Sequence, residues 1–200
     1  MCSIFGQINI NGGLIEANNF KSASNTMDHR GPDKKGYISD NNHFQFAFNR
    51  LSILDLNETG DQPMISDCGR YICVFNGEIY NFKKIYNEIK TSFKWRGTSD
   101  TEVLLNAWSL WNTKTLEKID GMFSFAIWDK DEKKVFIARD RIGEKPLYYY
   151  LDENNSLFFC SRPGPIIKVF PYLSNEYENK SIKFYLEAGY FPRSKSIFKK

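Results

Sequence analysis

Two hundred residues, 42% hydrophobic and 16% aromatic, are enough to bury a sizeable core as one domain, or one domain plus a tail. A formal charge of +3, with 27 Lys and Arg scattered among 24 Asp and Glu, gives nucleic-acid binding little support. No stretch approaches a membrane-spanning length and the first residues lack a basic-then-apolar leader, so a cytoplasmic protein without membrane contact is expected. Taken in chain order, apolar alternation predicts a strand over residues 3–10, a helix over 18–29 and a strand over 42–48, where Phe44, Phe46 and Phe48 share a face. A strand at 71–75 and helices at 82–93 and 100–111 follow. The last has the best start signal, Ser99 with Glu102 three residues on, a capping-box spacing. Strands at 122–129, 134–139, 147–151 and 156–160 complete the reading. Phe123, Phe125, Ala126 and Ile127 leave that segment almost no polar face, which suits an inner sheet.

The chemistry-bearing residues begin at position 2. Cys2 stands directly behind Met1, and a residue this small permits aminopeptidase removal of the methionine. The product carries a thiol of pKa about 8.5 and an α-amine of about 7.7 to 8.0 on one residue, a nucleophile and base that need no histidine. The chain has only two histidines. A cysteine at this position is also an ordinary accident of sequence. The four cysteines, at 2, 68, 73 and 160, form no Cys-x-x-Cys pair and have no histidine cluster nearby, so neither zinc nor a disulfide framework is expected.

Four further clusters each carry two readings. His29-Arg30-Gly31-Pro32-Asp33 is turn punctuation. Arg50 is either a solvated or ion-paired charge at a strand end, or a forked donor gripping a carboxylate. Asn76-Gly77 is the strongest short hairpin signal, yet a side-chain amide followed by an unhindered backbone N–H is also what an oxyanion hole needs. Asp100 either complements a helix dipole or faces a ligand ammonium. Together they describe a pocket for an amino acid.

Met1-Cys2-Ser3-Ile4-Phe5-Gly6, His29 to Asp33, Arg50-Leu51-Ser52-Ile53, Asn76-Gly77-Glu78-Ile79-Tyr80-Asn81, Ser99-Asp100, Asp120-Gly121-Met122-Phe123 and the run from Ala138 to Tyr149, in that order, closely resemble the class II glutamine amidotransferase domain of glutamine-hydrolysing asparagine synthetases. The resemblance covers residues 2–160. It implies an α+β N-terminal nucleophile hydrolase fold, a four-layer αββα sandwich of two antiparallel sheets between helices. It also implies roles: Cys2 as nucleophile with its own α-amine as proton relay, and Asn76 with the Gly77 backbone as oxyanion donors. Arg50 would hold the α-carboxylate of glutamine and Asp100 with Glu78 its α-ammonium, with Leu51 and Ile53 beside the substrate. His29 to Asp33 and Ala138 to Tyr149 read as scaffold. No metal or cofactor is needed for this half-reaction.

The likeness breaks after residue 160. Relatives continue with Ser-Glu and a helix, whereas here Cys160 is followed by Ser161-Arg162-Pro163-Gly164-Pro165, whose prolines are expected to disfavour helix before Ile166. Residues 161–200 resemble the connector to a synthetase domain. The ATP- and magnesium-using half, with its Ser-Gly-Gly-x-Asp-Ser loop, does not occur in these 200 residues. The expected partners are therefore glutamine and a synthetase domain or subunit that accepts ammonia, and a homodimer is compatible with this. Two alternatives stand beside that reading: a different N-terminal-Cys amidotransferase on the same fold, and a non-catalytic remnant serving as an interaction module.

Overall fold

The computed structural model describes residues 1–192 and 196–199. Residues 193–195 and 200, within the tail that resembles a connector, lie outside the described residues. The elements run β1 (Ser3–Ile8), α1 (Ala17–Ser24), β2 (Lys34–Ser39), β3 (Phe44–Arg50), β4 (Met64–Ile65), β5 (Tyr71–Ile79), α2 (Phe82–Ile89), α3 (Asp100–Trp111), α4 (Thr115–Lys118), β6 (Gly121–Asp129), β7 (Lys134–Arg139), β8 (Tyr148–Leu151), β9 (Leu157–Cys160), α5 (Gly164–Val169) and α6 (Asn179–Ala188).

Two antiparallel sheets result, β2-β3-β1-β9-β8 and β4-β5-β6-β7. Strand parity sorts the apolar side chains into layers. Ile4, Ile8, Phe44, Phe46 and Phe48 of the first sheet meet Ile72, Val74, Ala126 and Trp128 of the second between the sheets. The opposite parity of β1 and β9, Phe5 and Phe158, packs under α1 and α5 with Phe20 and Ile166. The opposite parity of β5 and β6, Cys73, Phe75 and Phe125, packs on α2 and α3 with Ile85, Leu104 and Trp108. The order is helix, sheet, sheet, helix, the αββα sandwich.

Several boundaries differ from the sequence reading. The first strand stops at Ile8, because Gly12 and Gly13 take positive φ in the turn that follows. The two helices predicted over 18–29 and 82–93 tighten early into 3-10 turns, at Asn25–Arg30 and Lys90–Ser92. Asn76-Gly77 is not a hairpin turn: β5 runs straight through it, with Asn76 opposite Ser124 and Gly77 opposite Phe123. Glycine is needed there because a Cβ would lie 2.4 Å from the Met122 carbonyl oxygen. The prolines after Cys160 do not prevent a helix. Pro163 caps α5 and Pro165 sits in its first turn, where the N–H it lacks has no intrahelical acceptor.

Candidate active site

The parity that builds the core also aims the site. Cys2 precedes β1 and packs against the inter-sheet cluster, on the same side as Ile4. Asn76 lies on the inter-sheet side of β5 with Ile72 and Val74, and is buried. Its Nδ2 donates to Ser161 Oγ at 3.4 Å, and the same oxygen accepts the Ile4 N–H at 3.1 Å. The amide is thereby tied to the strand that carries Cys2.

The Cys2 thiol is half-buried at the end of β3. Leu51 N–H donates to Sγ at 3.4 Å, and Sγ lies 3.5 Å from the Leu51 carbonyl oxygen. Burial pushes the thiol pKa up; the Leu51 N–H, the N-terminal ammonium, Arg50 and Lys145 pull the other way without cancelling it. These surroundings leave the thiol less acidic than an ordinary cysteine.

Cys2, Arg50, Leu51, Ile53, Gly77, Glu78 and Asp100 line one cleft. Asn76 is not on its wall; its side chain is sealed behind, on Ser161. Arg50 is ion-paired to Asp61 through NH1 at 2.7 Å, and NH1 also donates to the Asn57 carbonyl at 2.9 Å. NH2 donates to the Asp55 carbonyl. Of five donor hydrogens, Nε–H and one on NH2 have no acceptor among the described residues, which leaves a pair for a carboxylate. The resting structure shows the ion-paired reading of Arg50.

Asp100 opens α3 and is only 5% exposed. Its Oδ2 accepts the Ile79 N–H at 2.9 Å. Burial raises its pKa to about 6, against the pull of the Ile79 and Thr101 N–H groups, and the neighbouring Glu78 carboxylate adds to the rise. A buried acid beside a second acid gains from an incoming cation. The capping box is half formed: Ser99 Oγ accepts the Glu102 N–H at 3.2 Å, but the Glu102 carboxylate reaches back to the Arg96 and Gly97 N–H groups at 2.9 Å each.

Loop anchors complete the cleft. Asp33 accepts the Ser52 N–H at 2.7 Å, and Arg30 Nε donates to the Cys2 carbonyl at 3.2 Å. Asp55 accepts the Thr98 N–H at 2.9 Å, fastening the loop after β3 to the entry of α3. Gln62 spans Phe75 N–H at 2.6 Å and Thr101 Oγ1 at 3.2 Å. Sequence reasoning passed over Gln62, Asp55 and Ser161, which carry no motif signal, because their partners are distant in sequence.

A sandwich layered this way, with a cysteine at the head of a central strand, has the fold of the N-terminal nucleophile hydrolases. Residues 1–200 match the family model of the glutamine amidotransferase domain, and the chain belongs to that family. It is 40% identical over 142 residues to asparagine synthetase [glutamine-hydrolyzing] 1 of Bacillus subtilis, covering 70% of this chain and 22% of that one. It is 36% identical over 173 residues to asparagine synthetase B of Escherichia coli, covering 84% and 30%. A putative asparagine synthetase of Methanocaldococcus jannaschii is 34% identical over 220 residues, covering all of this chain and 41% of that protein. The chain thus spans less than half the length of these relatives. The fold matches the solved structure of glutamine phosphoribosylpyrophosphate amidotransferase from B. subtilis, with a TM-score of 0.68 at 17% identity, over 84% of this chain and 44% of that one. Among the described residues no helix is long and apolar enough to cross a membrane.

Proposed function

We propose that this domain hydrolyses glutamine to glutamate and ammonia through a thioester on Cys2, and that the ammonia serves an ATP-dependent amidation of the asparagine synthetase type. The observation that carries the reading is the cleft itself: one thiol, one forked cation and two carboxylates converge on a space whose charges complement an amino acid. Arg50 takes the α-carboxylate, and Asp100 with Glu78 the α-ammonium. The side-chain amide then faces Cys2.

Removal of Met1 places the α-amine on the residue that bears the thiol. The amine takes the thiol proton as sulfur attacks the amide carbon, and negative charge collects on the amide oxygen. Asn76 Nδ2, turning from Ser161, and the Gly77 N–H stabilise that charge. The amine returns its proton to the departing nitrogen, ammonia leaves, and a γ-glutamyl thioester remains. Water gives a proton to the same amine and its oxygen to the acyl carbon; the sulfur departs and is reprotonated. Every proton is accounted for by the thiol, the amine and water, so this half-reaction calls for no metal or organic cofactor. ATP and magnesium belong to the synthetase half-reaction, which activates the ammonia acceptor.

Glutamate release from glutamine, measured with intact mass on the same sample, tests the proposal. Release by the protein lacking Met1 supports it; none from a protein with a free N-terminal Cys2 contradicts it.

A further inference from the structure

Lys145 is 7% exposed, and among the described residues no carboxylate pairs with its ammonium. A buried, unbalanced cation is costly to hold. The loop holding it is nevertheless tightly built. Asp140 accepts the N–H groups of Glu144 at 2.7 Å, Lys145 at 2.9 Å and Phe123 at 3.3 Å, and donates its own N–H to the Phe123 carbonyl at 2.8 Å. The Arg139 guanidinium closes the turn on the carbonyls of Gly143 and Lys145. Phe123 is the partner of Gly77 across β5 and β6, so the loop is fixed to the strand pair that carries Asn76 and Gly77.

The Lys145 ammonium points at the N-terminus, with Nζ 3.8 Å from Met1 Sδ. Arg30 approaches the same sulfur at 3.7 Å while its Nε holds the Cys2 carbonyl. We propose that Lys145 is a positioning residue for the chemistry at Cys2, its charge biasing the ionisation of the thiol and of the α-amine that Met1 removal exposes there. This rests on the glutaminase reading above.

Two consequences of one charge make the case. A cation beside the amine disfavours the ammonium, leaving a neutral base below its ordinary titration range, and the same cation favours the thiolate against the effect of burial. The charged groups around Cys2 are Arg30 from the 3-10 turn after α1, Arg50 at the end of β3, Lys145 after β7, and Glu78 and Asp100 on the cleft wall. Arg162 stands behind Arg30, bonded to His29 at 2.9 Å. Arg50 is neutralised by Asp61 and Asp100 is bound to Ile79 N–H, whereas among the described residues neither Lys145 nor Arg30 is ion-paired to a carboxylate, and of the two Lys145 is the more buried.

The test is the rate of Cys2 alkylation by iodoacetamide against pH, from about 6 to 11, followed on the N-terminal peptide of the protein lacking Met1. Lys145→Met, whose unbranched apolar chain suits a buried site, and Lys145→Gln are expected to move the midpoint alkaline by about half to one pH unit, while Lys145→Arg stays near the parent. Thermal melts identify a variant that fails to fold, and the other neutral variant then decides. An unmoved midpoint in a folded neutral variant overturns the proposal, as does an Arg variant displaced as far as the neutral ones. Alkylation needs no glutamine. A shifted midpoint in a protein that releases no glutamate would therefore sink the glutaminase reading alone.

Discussion

Asn76 and Ser161 are 85 residues apart in sequence, yet the amide of one donates to the hydroxyl of the other at 3.4 Å. That contact joins the two sheets beside the Cys2 strand, since Ser161 also accepts the Ile4 N–H. If the amide swings to a developing oxyanion, Asn76→Ala lowers kcat by about 100- to 1000-fold with KM little changed. Ser161→Ala, which removes only the resting partner, costs kcat about 10-fold or less. Steady-state kinetics on both variants checks the pair, and equal losses would mean that Asn76 acts through packing alone.

Gly77 is held by the approach of β6. In Gly77→Ala the added methyl would lie 2.4 Å from the Met122 carbonyl oxygen and 2.7 Å from Phe123 Cα, both backbone atoms that cannot step aside. The strands must part, with a stability loss of about 1 to 3 kcal/mol and a fall in kcat, because the Gly77 N–H moves with them. Denaturant unfolding beside kinetics checks this; an unchanged midpoint would contradict the register.

If Asp100 takes the α-ammonium as proposed, it couples glutamine binding to pH. Its pKa rises from an ordinary 3.8 to about 6 on folding, so between those values the folded protein keeps a proton that the unfolded chain has lost. Stability from this group is fullest below about pH 4 and declines as pH rises through 6. Glutamine needs the charged form, so KM is expected to climb as pH falls through about 6. Asp100→Asn removes that dependence and raises KM at pH 7 while stabilising the fold there by about 1 to 3 kcal/mol, since the amide oxygen still accepts the Ile79 N–H. Thermal melts and KM across pH report both effects; a destabilised Asn variant at pH 7 contradicts the assignment.

Arg50→Lys keeps the charge and loses the fork. One ammonium cannot serve Asp61, the Asp55 and Asn57 carbonyls and a substrate carboxylate together. KM for glutamine is expected to rise about 10- to 100-fold with kcat changed far less, and the loop after β3 becomes a protease target. Isothermal titration with glutamine and limited proteolysis test the two halves separately.

Much of the architecture was legible because the core sorts by strand parity: Phe44, Phe46 and Phe48 announce one face, and the dense apolar run of β6 announces an inner strand. β2 was not. Its Lys34-Lys35-Gly36 start breaks the alternation on a half-exposed edge, and Gly36 is there because the Gln62 carbonyl passes where a Cβ would sit, 1.7 Å away. The Asn76-Gly77 signal pointed locally to a turn, and only pairing with β6 makes it strand. The cleft residues were legible as motifs. Their supports, Gln62, Asp55 and Ser161, were not, because each acts on a backbone or side chain reached only through the tertiary fold. Lys145 sat inside a recognised motif as scaffold, and the want of a carboxylate partner for it among the described residues is visible only in the tertiary structure.

The central claim is an acyl group on the Cys2 sulfur. Acid-quenching the protein lacking Met1 during turnover of glutamine, followed by mass analysis of its N-terminal peptide, looks for that group directly. The account predicts a glutamyl adduct on Cys2 that Cys2→Ala abolishes and that Cys68, Cys73 and Cys160 never carry. Glutamate formed at an undiminished rate by Cys2→Ala, or an adduct on another cysteine, would contradict it.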